Sequence, residues 1–507
     1  MSSILVIDTG TSSMRGILFH ESGSILLNER RKYFMTVNEN GAAEQNPADF
    51  AGCLTDICTA CQSFAAREKE TIAALAFTSQ RSSILPLTKD RKPMGNVITW
   101  YDKRSADICQ EIQEKHGNEI YDISGARPTP VLSAPKITWL KRNRPHIYEK
   151  ADKIVGIHDY LISLCTGQLV TDVTLGSRTC FMDIRKLCWS TRLLELFGVD
   201  REKLCELLPP GSTAGTLTSG FAGATGLPAG TPVISAGGDQ QCSVLGQGLF
   251  HPGETGVTTG TGAYLSMVCD TPVFDPLHRV NVSAAVTAGQ WILEASTMSA
   301  GSAYDWFNRL FCYEPGQRYP TEQINREVSE SMPGAGGVLM LPDLAGRGCP
   351  DWDDWARGLF YNLSLSTTRG DCARAVLEGI AYEIAECHKV LCSISPKTDK
   401  IRSTGGLANF TKFNQLLADM IEFPVERCII EETTAIGAFL IAAQAIGWFA
   451  SAEEAYKELY SDAENVLHFE PIPAEVQLYG ELNAVRKQLV QSLPNHNLIG
   501  QLMKLRL

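Results

Sequence analysis

The chain predicts an α/β protein of two domains that face each other across a cleft. Three observations carry that expectation. Its 507 residues are too many for one ordinary hydrophobic core. Strand-like apolar runs alternate with helix-like amphipathic runs along its length. A Thr-Gly-Thr triplet in a strand–loop–strand setting occurs twice, as Thr9-Gly10-Thr11 and Thr259-Gly260-Thr261, near the start of each half. That echo points to a duplicated domain.

Taken in order, "ILVID" is a buried-type strand, "TGTSS" a loop, "MRGILF" a second strand, "HESGS" a turn and "ILLNER" a third strand. Residues 47–66 read as a helix, because Asn46 supplies a cap and Pro47 suits the first helical position. "TIAALAFTSQR" is a strand ending in polar residues. "SADICQEIQEKHG" is a helix expected to end near Gly117, and "SAPKITWLKRNRPHIYEKA" is mostly helical. "PVISAGG" is a strand that ends at two glycines. Asp239 follows it and opens a helix-like stretch, for which it could serve as N-cap. The chain then restarts, since "GETGVTTGTGAYLSMV" is again strand, Gly/Thr loop and strand. A boundary near residue 250 divides the chain into domains 1–249 and 250–507. No low-complexity linker marks it, so the domains are expected to pack face to face.

Composition narrows the function. The chain is 44% hydrophobic and 20% charged, as soluble globular proteins are. A net charge of -12 repels nucleic-acid backbones and anionic membrane surfaces, so neither is an expected partner. No apolar run is long enough to span a bilayer. "MSSILVIDTG" lacks the basic region and long apolar run of a signal peptide, and a cytoplasmic location is expected. The 16 cysteines are scattered and do not read as a disulfide framework. "CTAC" (Cys58 to Cys61) has redox or zinc spacing, but it lies in an amphipathic helical stretch with no second ligand pair, and reads as structural. "KRNRPH" (141–146) reads as a solvated helix end, and His158 as a partner in a local hydrogen bond.

The glycine loops carry the chemistry. Gly/Thr/Ser loops at strand ends present backbone N–H groups and hydroxyls to phosphate oxygens, and glycine lets the backbone approach closely. A P-loop would need a Lys and a helix behind it, and a dinucleotide fingerprint also opens a helix. Here each loop leads into another strand, which implies phosphates held between two hairpins, one from each domain. "TGGLAN" (404–409) adds a third glycine site. Asp8 ends the first strand, just before the first loop. There it can meet, through water, a magnesium ion carried by nucleotide phosphates. Asp239 ends a strand close to the domain boundary. A carboxylate facing a cleft there can accept the proton of a substrate hydroxyl that attacks phosphorus, and a helix N-terminus keeps it ionised.

With these segments in place, the sequence resembles the FGGY carbohydrate kinases of the actin-like ATPase superfamily, in order and over nearly the whole chain. "IDTGTSSMRG" and "TTGTGAYL" look like the two phosphate motifs, and "TSQRSS" and "ITWYDKR" like sugar-side segments. "SAPKITWL" looks like most of the first family signature, with Val131 where an aromatic or small residue is usual. "GGDQQC" looks like the catalytic-base segment, and "STGGLANFTKFNQLLADM" like the second signature and adenosine site. The resemblance implies two ribonuclease-H-like α/β domains around a deep cleft, and transfer of the ATP γ-phosphate to a sugar or polyol hydroxyl with Mg2+. It makes Asp239 the general base and Asp8 the acid that organises the metal, with Asp239 beside it. It puts Gly10, Thr11, Ser12 and Arg15 in the first phosphate loop, and Gly260, Thr261 and Gly262 in the second. Gly405, Gly406 and Asn409 fall at the adenosine, and Arg81, Trp100, Asp102 and Gln240 around the sugar. Glu378, in "LEGIAYEI", matches no catalytic position and reads as an interface or salt-bridge residue.

The subfamily stays open. The pairs Gln80-Arg81 and Asp239-Gln240 are similar to glycerol kinases, which however place Glu where this chain has Ser82 and supply a Tyr in the segment that here reads "RPTPVLSA". Xylulose kinases usually carry Met-His in place of Gln80-Arg81, and Trp-Asn-Asp in place of Trp100-Tyr101-Asp102. "SGARPTPVLSAPKITWL" also resembles kinases of a small signalling diol, the bacterial autoinducer kinases. The leading expectation is a kinase of a ketopentose such as xylulose or a related small sugar, with glycerol or a signalling diol as alternatives. A nucleotide-gated binding protein like actin or a chaperone ATPase would share the phosphate hairpins, but would not need the sugar-side segments. A degenerate sugar sensor would not need both Asp8 and Asp239. The oligomeric state is open, a homodimer included.

Overall fold

The first half builds a six-stranded sheet. In it, β1 (Ser2–Thr9), β2 (Ser13–His20) and β3 (Ile25–Lys32) form an antiparallel meander. β4 (Thr71–Ser79) lies parallel to β1, and β5 (Thr213–Thr216) runs antiparallel to β6 (Pro232–Gly238), which is parallel to β4. The order is β5-β6-β4-β1-β2-β3. The inner strands read as continuous apolar runs rather than alternating ones because helices cover both faces of the sheet. The computed structural model describes residues 2–493 apart from 315–316, 319–320, 396–398, 431 and 462–465, so the last residues of the expected 250–507 domain lie outside the described residues.

Helix α1 (Pro47–Glu68) starts as the sequence implies, with the Asn46 side chain accepting from the Ala48 N–H and Pro47 in the first turn. It buries Phe50, Leu54, Ile57, Cys58, Cys61 and Ala65, one helical stripe, against the first face of the sheet. The two cysteines of "CTAC" are therefore core. Among the described residues no group of three or more His, Cys, Asp or Glu could hold a metal ion. Helix α2 (Ala106–Ser124) does not stop near Gly117 as expected. It runs through to a left-handed cap at Gly125, φ 70°. The internal glycine costs about 1 kcal/mol of helix propensity, but Ile112, Ile120 and Tyr121 continue one buried stripe past it, and that burial outweighs the cost. Helix α3 (Ser133–Asn143) follows, and its charged end is solvated, with Arg142 pairing with Glu111 at 2.7 Å. Helix α4 (Ile157–Thr166) joins α1 on the sheet, and α5 (Val173–Gly176) is a single turn capped by Asp172. Helix α6 (Asp239–Gly246) leaves the end of β6.

The second half repeats the plan. The strands β7 (Glu254–Thr259), β8 (Ala263–Cys269), β9 (Asn281–Ala284), β10 (Trp291–Thr297), β11 (Lys400–Gly405), β12 (Val425–Cys428) and β13 (Val466–Phe469) are ordered β9-β10-β8-β7-β11-β12-β13. With the extra edge strand β9 set aside, every strand matches one of the first sheet in position and direction. The repeated Thr-Gly-Thr triplets sit at the same hairpin in both sheets, so the echo in the sequence marks a real duplication. Helices α7 (Arg369–Ile394) and α8 (Thr411–Ile421) cover one face.

The halves interlock through the counterpart helices α6 and α9 (Thr433–Ala445). The chain passes from one sheet to the other between Gly246 and Glu254, beside the expected boundary, yet α9 packs on the first sheet, where Phe439 stacks on Phe19 with ring centroids 4.8 Å apart. From the first half, α6 sends Val244 into a cluster with Val268 and Ile292 of the second sheet. The two helices touch backbone to backbone. A Cβ on Gly246 would lie 1.8 Å from the Thr433 carbonyl oxygen, and one on Gly437 would lie 1.9 Å from that of Cys242. Neither neighbour is a side chain that can swing away. Gly437→Ala is therefore expected to destabilise by about 1–3 kcal/mol or more through overpacking. A thermal melt that leaves Tm unchanged would show that the helices can separate at no cost.

Candidate active site

Three glycine loops lie at the carboxyl ends of β1, β7 and β11. The first is closed by the Gly10 N–H donating to the Ser13 carbonyl at 3.0 Å, and the Tyr33 hydroxyl donates to the Gly10 carbonyl. Gln45 Nε2 donates to the Thr11 carbonyl at 2.7 Å, and Trp100 Nε1 to Thr11 Oγ1 at 3.0 Å. Trp100, expected beside the sugar, thus spends its one polar side-chain atom on Thr11 of the first glycine loop. Ser12 is exposed at the tip.

The other two loops separate glycines the fold requires from glycines that leave space. A Cβ on Gly262 would lie 2.4 Å from the Thr297 carbonyl oxygen. One on Gly405, at φ 91°, would lie 2.1 Å from that of Thr259, its partner across β7 and β11. Those two positions serve backbone approach. Gly260 has no neighbour nearer than 4.0 Å, and Gly406 has none within 4 Å. Both are exposed, as is Thr261. Asn409 is exposed too, and its Oδ1 accepts from Arg427 Nη2 at 2.7 Å.

The charged residues divide into two groups. Asp8 is buried and ion-paired with Arg15, whose other nitrogen holds Glu432 at the start of α9. Arg15, expected to reach phosphate, here ties the first hairpin to that helix. Asp102, expected at the sugar, is 1% exposed and turned inward. It accepts from the Ala43 N–H at 2.8 Å and pairs with Arg104 at 2.7 Å. Those bonds fix the segment that carries Trp100 and occupy both oxygens of the carboxylate.

Asp239 is where the sequence puts it, with one change. The residue in the cap position of α6 is Gly238, extended at φ -69°, ψ 150°, and Asp239 is the first helical residue. A bulge in β6 between Ser235 and Gly237 re-aims the strand end. Thr174 holds it there, its Oγ1 accepting from the Gly238 N–H at 2.9 Å while donating to Asp172. The Asp239 side chain stays 27% exposed, with Oδ1 accepting from the Gln240 N–H at 2.8 Å. Burial pushes its carboxyl up to about 6 against the opposing pull of Arg81, and the negative charge of Asp8 adds to the rise. Gln240 lies half-buried beside it.

Arg81 links the two halves. Its Nε lies 3.5 Å from Asp239 Oδ1, and its Nη1 donates to Glu294 Oε1 at 2.6 Å. Glu294, on β10, also accepts from Ser283 Oγ at 2.8 Å and lies 3.6 Å from Arg178 Nη1. Burial would raise its carboxyl, but Arg81 and Arg178 overcome that and hold it down at about 2. Tyr264, at the start of β8, flanks the same charges. Glu294, Arg178 and Tyr264 were not singled out in the sequence. The one available signal was a lone carboxylate inside the apolar strand "WILEAST". Elsewhere, Glu378 is bound to Arg374 and Tyr479, a structural ion pair as expected, and His158 Nε2 sits 3.4 Å from Ser235 Oγ.

A duplicated ribonuclease-H-like pair of domains, with matching glycine hairpins after β1 and β7, defines an actin-like ATPase architecture. The comparisons agree. Residues 3–246 match the N-terminal domain of the FGGY family of carbohydrate kinases and residues 256–446 its C-terminal domain. The chain is 31% identical over 472 residues to glycerol kinase 2 of Thermotoga maritima, covering 90% of this chain and 92% of that one. It is 28% identical over 495 residues to the xylulose kinase of Lactococcus lactis, covering 97% of each. Among solved structures it superposes on a ligand-bound xylulose kinase from Lactobacillus acidophilus with TM-score 0.89 at 24% identity, over 97% of this chain and 99% of that one. It superposes on the Plasmodium falciparum glycerol kinase with ADP with TM-score 0.88 at 25% identity, over 98% and 99%. The chain belongs to the FGGY family of carbohydrate kinases, ATP-dependent phosphotransferases acting on small sugars or polyols. Among the described residues no helix is long and apolar enough to cross a membrane.

Proposed function

We propose that the protein transfers the γ-phosphoryl group of ATP to a hydroxyl of a ketopentose such as xylulose, or of a related small sugar, with Asp239 as general base. The observation that carries this is the placement of Asp239. It is a part-exposed carboxylate at a bulged strand end, joined to the opposite domain through Arg81 and Glu294. The open sides of Gly260 and Gly406 leave room for nucleotide, with phosphate on the hairpins and adenosine near Asn409. Asp239 takes the proton of the attacking hydroxyl as the O–P bond forms. Arg81 and Gln240 hold the acceptor, and the two hairpins and the helix starts hold phosphate by N–H donation. The donors fit magnesium, because Asp8 and Asp239 offer two hard carboxylates rather than a full cage, which suits an ion that keeps its waters and the nucleotide's oxygens. Bound there, Mg2+ would neutralise phosphate charge.

Glycerol, or a small signalling diol, is the second reading. It is favoured by the glycerol-kinase relative and by the pairs Gln80-Arg81 and Asp239-Gln240. Against glycerol stands Ser82, whose hydroxyl donates to the Arg178 carbonyl at 3.0 Å and so does not replace the missing glutamate. A coupled ADP-release screen across ketoses, polyols and signalling diols separates the readings, and absence of turnover with all of them defeats both. Arg81→Ala is expected to raise the sugar KM by the equivalent of about 1–3 kcal/mol, because a buried hydroxyl loses its donor, with the ATP KM little changed. Equal effects on both substrates would remove Arg81 from the sugar site.

A further inference from the structure

We infer that Arg178 and Glu294 form a second hydroxyl-reading couple in the acceptor pocket, and that it selects a neutral polyol or ketose over a sugar acid. The inference rests on the kinase reading only for where the acceptor lies. Arg178 is 9% exposed, yet its Nε and Nη1 have no hydrogen-bond partner in the protein. Buried donors in native proteins are almost always satisfied, and leaving a charged one bare is costly. The nearest acid atom is Glu294 Oε2, 3.6 Å from Nη1, beyond hydrogen-bond length. The other oxygen, Oε1, is taken up by Arg81 at 2.6 Å, Ser283 at 2.8 Å and Gln241 at 3.4 Å. One guanidinium nitrogen and one carboxylate oxygen therefore lie side by side without a hydrogen bond between them.

A hydroxyl group satisfies both at once, its oxygen accepting from Arg178 and its O–H donating to Glu294. A substrate carboxylate could accept from Arg178, but it would place its charge against Glu294. Glu294 cannot relieve that repulsion by taking up a proton, because two arginines hold it ionised. The couple also has a fixed distance from the reacting centre. Arg81 turns Nε toward Asp239 and Nη1 toward Glu294, so about one guanidinium width separates the two acids. The hydroxyl read by Glu294 thus belongs to a carbon close along the chain to the one presented to Asp239.

The test separates binding from turnover. Calorimetry on the full chain measures glycerol, D-xylulose and D-gluconate directly, and ADP release measures turnover with the same three. A neutral probe is expected to bind at least tenfold more tightly than gluconate. Glu294→Gln and Arg178→Lys are expected to weaken that neutral probe ten- to a hundredfold with ATP affinity within twofold of wild type, and Glu294→Asp to recover part of the loss. Thermal melting checks each variant. Arg178→Lys leaves the Arg81–Glu294 pair intact and carries the test if Glu294→Gln does not fold. Gluconate binding as tightly as the neutral probes, no binding of a neutral probe by the wild type, or unchanged binding in the folded variants overturns the couple. Binding that responds as expected in a protein that turns over none of the probes keeps the couple and defeats the kinase reading.

Discussion

Replacing Asp239 with Asn is expected to lower kcat by at least about a hundredfold, within the usual range of about 10² to 10⁴ for loss of a general base, while ATP binding and the fold stay near wild type. The substitution is almost isosteric, and an Asn Oδ1 can still accept from the Gln240 N–H, as Asp239 does now. Helix α6 does not depend on this side chain for its cap, since Gly238 holds the cap position, and the strand end is fixed by Thr174 through the Gly238 N–H. Arg81 keeps its bond to Glu294, so the link between the halves survives. What is lost is a carboxylate that burial has pushed up to about 6, close to the value at which a base both stays ionised and takes a proton readily. Closure on the sugar is driven by contacts and should persist. Steady-state kinetics, nucleotide titration and thermal melting together decide the matter. Turnover near wild type would reduce Asp239 to a charge at a helix start. Loss of ATP binding would assign it to the nucleotide and its metal instead.

Gly260→Val is expected to abolish measurable nucleotide binding in a protein that remains folded. The two halves of that statement come from different observations. Gly260 has space around it, with no atom nearer than 4.0 Å to a Cβ built there, and its φ is not in the left-handed region, so the folded chain without nucleotide accepts a side chain. Its N–H bonds to Gly262 at 2.8 Å and its carbonyl accepts from Gly301 at 2.9 Å, bonds that any residue can make. On the proposed reading, the valine would occupy the volume in which a phosphate approaches the hairpin backbone. Gly262→Val is the contrasting control. There the Cβ meets the Thr297 carbonyl at 2.4 Å, and the expected failure is of the fold. Calorimetric ATP affinity unchanged in Gly260→Val would remove this hairpin from the phosphate site.

The Thr-Gly-Thr echo was legible because it is local. A strand, a glycine turn and a strand are set by neighbours in sequence, and their recurrence announced two similar sheets before any packing was known. The same holds for α1, whose cap, proline and apolar stripe all lie within one stretch. Helix α2 runs past Gly117, against the sequence expectation, because a local penalty of about 1 kcal/mol competes with burial of Ile120 and Tyr121, which depends on what the helix packs against.

The sequence by itself determined most of the elements, the two glycine hairpins, the position of Asp239 at a strand end and the family to which these belong. Those features rest on periodicity, glycine placement and motif order, all of which are written along the chain. Only the tertiary structure decided which charges meet. Asp102 looked like a pocket acid and is instead turned inward to Arg104. Arg15 looked free for phosphate and is held by Asp8 and Glu432, 417 residues away from it in the second half. Glu294 looked like an unremarked residue of an apolar strand, and it joins Arg81 across 213 positions. The Gly246–Gly437 contact that locks the halves together likewise has no local signature. The physical reason is the same in each case. A hydrogen bond or ion pair needs its partners within about 3–4 Å, and no pattern along one strand fixes which residue of a distant strand arrives there.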